Sequence, residues 1–512
     1  MRKVLSGAVL VFIALVLTSP VSRGQGWQRS ASFFPTTTPI KYLIVIFDEN
    51  ISFDHYFGTY PAAFNPPGEP SFVARPGTPA VNGLTSTLLQ NNPNNPNPEP
   101  GSPVPAAPFR LDRSEAVTCD NDNHYKDEQE AYDGGLLNKF AEILSGTGTG
   151  CTPNLSMGYY DGNTVTAIWN YAQHYAMSDN YFASTFGTTV MGHQNLIAGQ
   201  THGAAPNVSG KVVNGSIIAN IDPLVALDDC ATTGTTNIEM SGANIGNLLN
   251  AKGVTWGWFY GDWIPTGYSG GVAQCVAEYD SHYAPFQYYS STANPHHLPP
   301  TSVAAIGQTD QANHQYGMTD FWNAVDRGNI PAVSFIKPPA NQTGHPSTSS
   351  PLLEQEFLVD TINQLQATPH WREMAIIITY DDSDGWYDHV MPPIVSQSSD
   401  SANDALLGSP GLCGTTPAGG ASDRCGYGPR LPLIVISPFA KENFVSHSLA
   451  DQTSITRFAE DNWGLRQIGN GSFDAIAGSL LDVFDFVHAG GPDRDRTLIL
   501  DPDSGDPVQG YR

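Results

Sequence analysis

Two apolar runs far apart in the chain each end on a cluster of oxygen donors: YLIVIFDEN, from Tyr42 to Asn50, and MAIIITYDDSDG, from Met374 to Gly385. A β-branched, aromatic run with no polar alternation reads as a strand buried on both faces, which is the situation of a parallel sheet. In open α/β sheets, ligands bind beyond the carboxyl ends of the strands. Glu49 and Asn50 would then lie at one strand end, and Asp381 and Asp382 at another. Three carboxylates and an amide brought together repel one another unless a cation holds them. Hard oxygen donors suit one divalent metal ion, with calcium, magnesium, manganese and zinc all open.

PAVSFIK (331–337) and PLIVISPFA (432–440) are further buried-strand candidates. Helical spacing recurs around 352–366, around 452–463 and over EQEAYDGGLLNKFAEIL (128–144), while TAIWNYAQHYAMSDNYF (166–182) reads as a helix leading into a strand or turn. Strands alternating with helices predict an α/β fold whose largely parallel central sheet is flanked by helices. Residues 61–110, dense in Pro, Asn and Gly, read as one long surface loop. Residues from about 205 to 300 are rich in Gly, Asn, Tyr and Trp and predict a β-rich insertion or cap.

Met1-Arg2-Lys3 followed by the apolar stretch Ala8 to Leu17 and small residues up to Gly24 has the layout of a signal peptide over 1–24. A single catalytic domain over 25–512 would follow, secreted or periplasmic. No later run approaches transmembrane length, so no stable membrane anchor is expected. For an exported chain, six cysteines suggest three disulfides, and pairing of sequence neighbours (119–151, 230–275, 413–425) is the simplest connectivity. The net charge of −26 argues against a nucleic-acid partner. It also repels phosphate at long range, so a phosphate site would depend on a local metal and on histidines.

If the chain is an esterase it needs a nucleophile. Thr188 and Thr189 follow Gly187 in a turn where a hydroxyl could meet the metal, and a hydroxyl becomes nucleophilic once a base or metal lowers its pKa. His124, His296, His297 and His345 lie in polar loops, as phosphate contacts or as the acid that protonates a leaving group. His55 and His389, each following Asp among aromatics, read as structural. The chain has no Walker loop, GxSxG elbow or HExxH motif.

The segments DENISFDHYFGTYP, ITYDDSDGWYDHVMPP, YGPRLPLIVISPFAK and TSITRFAEDNWGL, in this order, resemble the phosphoesterase family of bacterial phospholipases C, plant non-specific phospholipases C and secreted acid phosphatases. The resemblance spans residues 41 to about 465. It implies an alkaline-phosphatase-like α/β fold with a metal beside a hydroxyl nucleophile. Carried onto this chain, it makes Glu49, Asn50, Asp381, Asp382 and Thr189 the metal site and Thr189 the nucleophile. His124, His296 and His345 would face the phosphate, with His297 as a further phosphate contact, and His345 or His296 would protonate the leaving alcohol. Asp382 departs from the family's usual Glu. TVMGH stands where phospholipase members tend to read TxPNR, which favours an acid phosphatase forming a phosphothreonine. One alternative is a phospholipase C cleaving phosphatidylcholine, with an apolar mouth supplied by the insertion. Another is a non-enzymatic secreted carbohydrate- or surface-binding protein with structural calcium.

Overall fold

The computed structural model describes residues 31, 34–90, 92, 107–146, 151–261, 267–269, 272–275, 279–396, 398, 400–406, 413, 424–487 and 496–508. Its centre is an eight-stranded sheet: β1 (Tyr42–Asp48), β2 (Ala176–Ser178), β3 (Trp256–Tyr260), β4 (Gln315–Tyr316), β5 (Val333–Lys337), β6 (Met374–Tyr380), β7 (Leu433–Ile436) and β8 (Phe444–Ser446). In space they lie in the order β4-β3-β5-β1-β6-β7-β2-β8. β1 is central, parallel to β5 on one side and to β6 on the other. Every residue of β1 and β6 is buried, which is why their sequences show no polar alternation. Tyr42 pairs with Met374 and Asp48 with Tyr380, so the two strands end level. The Asp381 amide then donates to the Asp48 carbonyl at 3.2 Å, and both oxygen clusters leave the sheet at the same edge.

PLIVISPFA forms a strand as predicted, but β7 runs antiparallel to β6 and to β2. A parallel connection needs a crossover, usually a helix. Among the described residues between β6 and β7 there is no helix, so the chain re-enters the sheet from the end at which β6 left it.

The predicted 128–144 helix is cut short. With α1 at Phe53–Phe57 and a short helix at Ser86–Gln90, α2 (Tyr125–Tyr132) stops where Asp133, Gly134 and Gly135 take φ values of 44°, 64° and 100°. A 3-10 turn at Asp133–Gly135 follows, and only one further turn, Phe140–Ile143, is α-helical there. The other expected helices form as α3 (Thr166–His174), α7 (Pro351–Gln366) and α8 (Thr453–Trp463), with α4 (Thr189–Ala198), α5 (Ile245–Lys252) and α6 (Met318–Asp326) between them. Across 205–300, small two-stranded pieces stand beside α5, and VTWGWFY places its WGWFY residues in the central sheet as β3.

Cys119–Cys151, Cys230–Cys275 and Cys413–Cys425 are bonded, with Cα separations of 5.3, 5.8 and 5.5 Å. Among the described residues no helix is long and apolar enough to cross a membrane. The expected signal peptide lies outside the described residues, as do 91 and 93–106 of the long loop.

Candidate active site

The level ends of β1 and β6 bring Glu49, Asn50, Asp381 and Asp382 together, all of them buried. A third strand end joins them. Lys337 closes β5, the other neighbour of β1, and its fully enclosed ammonium lies against Glu49 Oε1. The Tyr283 ring covers the ammonium at 4.8 Å. The loop after β5 hydrogen-bonds to this edge through the Glu49 amide, which donates to the Thr343 carbonyl at 3.0 Å. That loop carries His345, whose Nε2 is 3.8 Å from Glu49 Oε2.

Thr188 and Thr189 do not form an isolated turn. Thr188 is the extended N-cap of α4 and Thr189 its first residue. Gly187, at φ 113°, donates its N–H to Glu128 Oε2 at 2.8 Å. Glu128 Oε1 in turn accepts from Ser383 Oγ at 2.6 Å, tying the start of α4 to the loop after β6. One turn on, a Cβ at Gly192 would lie 2.1 Å from the Asp381 carbonyl oxygen, so only glycine lets α4 come this close to the strand end. The result is that Thr189 Oγ1 donates to Asp382 Oδ2 at 3.3 Å. The positive end of the α4 dipole favours negative charge at this hydroxyl.

The polar atoms of the cluster are unequally satisfied. Both Glu49 carboxylate oxygens, Asn50 Oδ1 and Asp381 Oδ2 are buried without a hydrogen-bond donor, and Lys337 meets Glu49 as an ion pair outside hydrogen-bond geometry. Orphaned buried oxygens are costly, and a set composed of hard oxygen donors fits a hard divalent cation. Asp382 is different. Its Oδ1 accepts from Asn123 Nδ2 at 3.0 Å and from the Asp384 amide at 2.8 Å, and its Oδ2 accepts from Thr189. Burial, reinforced by the Asp382 charge, pushes Asp381 well above the usual carboxylate range. Burial also pushes Asp382 up to about 6, against the hydrogen bonds that hold it down.

The histidines singled out in the sequence separate. His345 is at the cluster. His124 caps α2 beside Asn123, which reaches Asp382, but its own ring is mostly exposed and paired with Asp122, whose hydrogen bond raises its pKa. His296 Nδ1 lies 3.0 Å from Asp229 Oδ2, and the buried His297 places Nε2 2.7 Å from Asp228 Oδ1. These contacts run to the 228–229 segment and not to the strand-end carboxylates. His55 stacks on Trp386 at 3.7 Å, and His389 pairs with Asp54 beside the buried Arg430, as their structural reading anticipates.

Three contributors were missed. Lys337 ends its apolar run on a charge, the same signal that marked Glu49 and Asp381. His193, one helical turn after Thr189, lies with Nδ1 2.8 Å from the Thr189 carbonyl and 3.5 Å from Asp381 Oδ2, and burial together with Lys337 depresses its pKa. His282 lies with Nδ1 2.6 Å from Asp280 and feels the Glu49 charge; no local sequence pattern announces it.

Comparisons with known proteins bear on this arrangement. A family model described as Phosphoesterase family matches residues 40–466. A non-hemolytic phospholipase C of Pseudomonas aeruginosa is 25% identical over 467 residues, covering 88% of this chain and 58% of the relative, so the chain spans little more than half that protein's length. Phospholipase C A of Mycobacterium tuberculosis is 23% identical, covering 88% of this chain and 78% of the relative. Non-specific phospholipase C1 of Arabidopsis thaliana is 22% identical, covering 89% and 71%. Among solved structures, a protein in the alkaline phosphatase superfamily from Vibrio parahaemolyticus aligns with a TM-score of 0.29 and 11% identity over 70% of this chain and 72% of that one.

Proposed function

The chain belongs to the phosphoesterase family, and we propose that it is a secreted, metal-dependent phosphoesterase that hydrolyses phosphomonoesters, as an acid phosphatase, through a phosphothreonine at Thr189. The observation that carries this reading is the Thr189 hydroxyl, set at a helix N-terminus and hydrogen-bonded to Asp382 beside a nest of orphaned carboxylate oxygens.

Glu49, Asn50 and Asp381 would hold the divalent cation, with Asp382 and Thr189 beside it; when bound, the cation supplies Lewis-acid charge for the hydroxyl and the phosphoryl oxygens. Asp382 Oδ2 takes the Thr189 proton as the Thr189 oxygen attacks phosphorus in line. The new bond is Thr189 Oγ1 to phosphorus, and the bond to the leaving alcohol breaks. His345, next to Glu49, gives that alcohol its proton. Lys337 and the α4 N-terminus offset the charge that builds on the phosphoryl oxygens. In the second half-reaction water gives its proton to His345 and displaces Thr189, which recovers its own from Asp382.

A phospholipase C activity is the second reading, supported by the names of the relatives. The test uses Thr189→Ala, with p-nitrophenyl phosphate and phosphatidylcholine micelles as substrates. Loss of turnover by at least about 10³-fold in a folded variant is expected. An acid-quenched wild-type reaction should carry one added phosphoryl group on Thr189 by mass spectrometry. Turnover retained by Thr189→Ala rejects the nucleophile, and a strong preference for phosphatidylcholine rejects the monoester reading.

A further inference from the structure

Beside the site, the 211–237 part of the insertion borders a half-open cavity of about 230 Å³ whose lining includes Lys211, Asn220, Asp222, Thr235, Asn237 and His282. Two of these residues connect it to the reacting centre. Asn220 Oδ1 accepts from the amide of Val190, the residue after Thr189, at 3.0 Å. His282 feels the charge of Glu49. The sequence raised the insertion as the source of an apolar mouth, but hydroxyls, amides and charges predominate in this wall.

We propose that this cavity receives the leaving group of the substrate, and that the leaving group is a hydroxyl-rich alcohol, as in a sugar or polyol phosphate. The inference deepens the phosphomonoesterase reading and rests on it. Size and chemistry both point this way. Drug-sized ligands fill cavities of about 300–1,000 Å³ with mostly apolar linings; this one is smaller and polar. Two acyl chains would bury its hydroxyls and amides without partners, which is unfavourable. A polyol instead meets donors and acceptors in either sense.

The wall is also preorganised. The Thr232 amide donates to Asp222 Oδ2 at 3.0 Å, and Asn237 Nδ2 donates to the carbonyls of Pro223 and Thr232 at 3.1 and 2.9 Å. The Cys230–Cys275 disulfide anchors the same segment. The exposed Lys211 has no ion-pair partner among the described residues, which leaves its ammonium available to hydroxyl oxygens.

The experiment compares kcat/KM for glucose 6-phosphate, p-nitrophenyl phosphate and phosphatidylcholine micelles in the wild type, Lys211→Met and Thr236→Val, where Thr236 is a lining residue that makes no contact to the strand-end carboxylates. Each substitution should lower kcat/KM for glucose 6-phosphate about fivefold to tenfold, through KM, as expected for one lost hydrogen bond. Turnover of p-nitrophenyl phosphate should stay within about twofold, since its leaving group offers no hydroxyls. Equal effects on both monoesters, or none on either, overturn the proposal, as does a wild type that prefers phosphatidylcholine. Calorimetric binding of glucose 6-phosphate to Thr189→Ala, weakened by the same substitutions, gives a readout free of turnover, and unweakened binding overturns the cavity assignment. If the wild type hydrolyses none of the three with any added divalent cation, the phosphoesterase reading fails first and takes this inference with it.

Discussion

Lys337 and Glu49 sit at the ends of neighbouring parallel strands and form an ion pair with no solvent exposure on either side chain. Glu49, Asp381 and Asp382 together bring three carboxylates to one buried strand edge, so a fixed ammonium and a divalent cation would balance them. Breaking a buried pair leaves an uncompensated charge and costs about 3–5 kcal/mol. Lys337→Met should therefore lower the melting temperature measured in EDTA. Added calcium or magnesium should restore more of the lost stability in this variant than in the wild type. Equal cation responses in the two proteins would count against the arrangement.

Removal of the metal gives a second prediction. At a free cation concentration 100 times Kd, binding to the native state alone stabilises by about 2.7 kcal/mol. For a domain of this size that corresponds to a melting shift of roughly 3 °C. Scanning calorimetry with EDTA and with each of calcium, magnesium, manganese and zinc should rank the ions. Glu49→Gln should abolish the ranking. A melting curve indifferent to every ion and to EDTA would remove the metal from the site.

His345 is assigned the proton that the leaving alcohol takes up. His345→Gln should then discriminate among leaving groups. Alkyl phosphates, whose alkoxides need a proton, should lose about 10²–10⁴-fold in kcat. p-Nitrophenyl phosphate, whose leaving group departs as an anion, should lose far less. A uniform loss across leaving groups would make His345 a phosphate contact and not an acid.

A pH prediction comes from the other face of the strand end. Glu354, on α7, accepts hydrogen bonds from Tyr56 at 2.7 Å and from Tyr380 at 2.5 Å, and burial pushes it up to about 8. The nearby buried Asp48 is pushed upward as well, by burial and by Glu354. Native Glu354 keeps its proton between the ordinary carboxylate range and about 8, where the unfolded chain has already lost it. Its contribution is thus fully present below the ordinary carboxylate pKa and is lost as pH rises through about 8, on the order of a few kcal/mol. Thermal stability should fall between pH 5 and 8, and Glu354→Gln should flatten that fall. An unchanged slope in the variant would place the titration elsewhere.

Much of this was legible in the chain. An unalternating apolar run identifies a strand buried on both faces, and a charged residue closing it identifies a strand end, because charge is not tolerated further in. Glu49, Asn50, Asp381 and Asp382 could be named on that ground. The signal failed where the deciding contact is not local. PLIVISPFA announces a buried strand but not its direction, which depends on whether the preceding segment crosses the sheet. The two glycines after Tyr132 outweigh the helical spacing of 128–144, because the φ values taken there are left-handed.

Residue order by itself determined the long buried strands and the oxygen clusters at their ends, since burial and periodicity are written into it; the choice of Thr189 over Thr188 came from the family resemblance. Only the tertiary structure decided which side chains meet. The level register of β1 and β6 joined the two clusters. The close approach at Gly192 set Thr189 on Asp382, and packing of the 280–297 segment brought His282 toward Glu49 while His296 and His297 turned to Asp229 and Asp228. Side chains hundreds of residues apart become neighbours through chain crossovers and packing, and no local pattern encodes those distances.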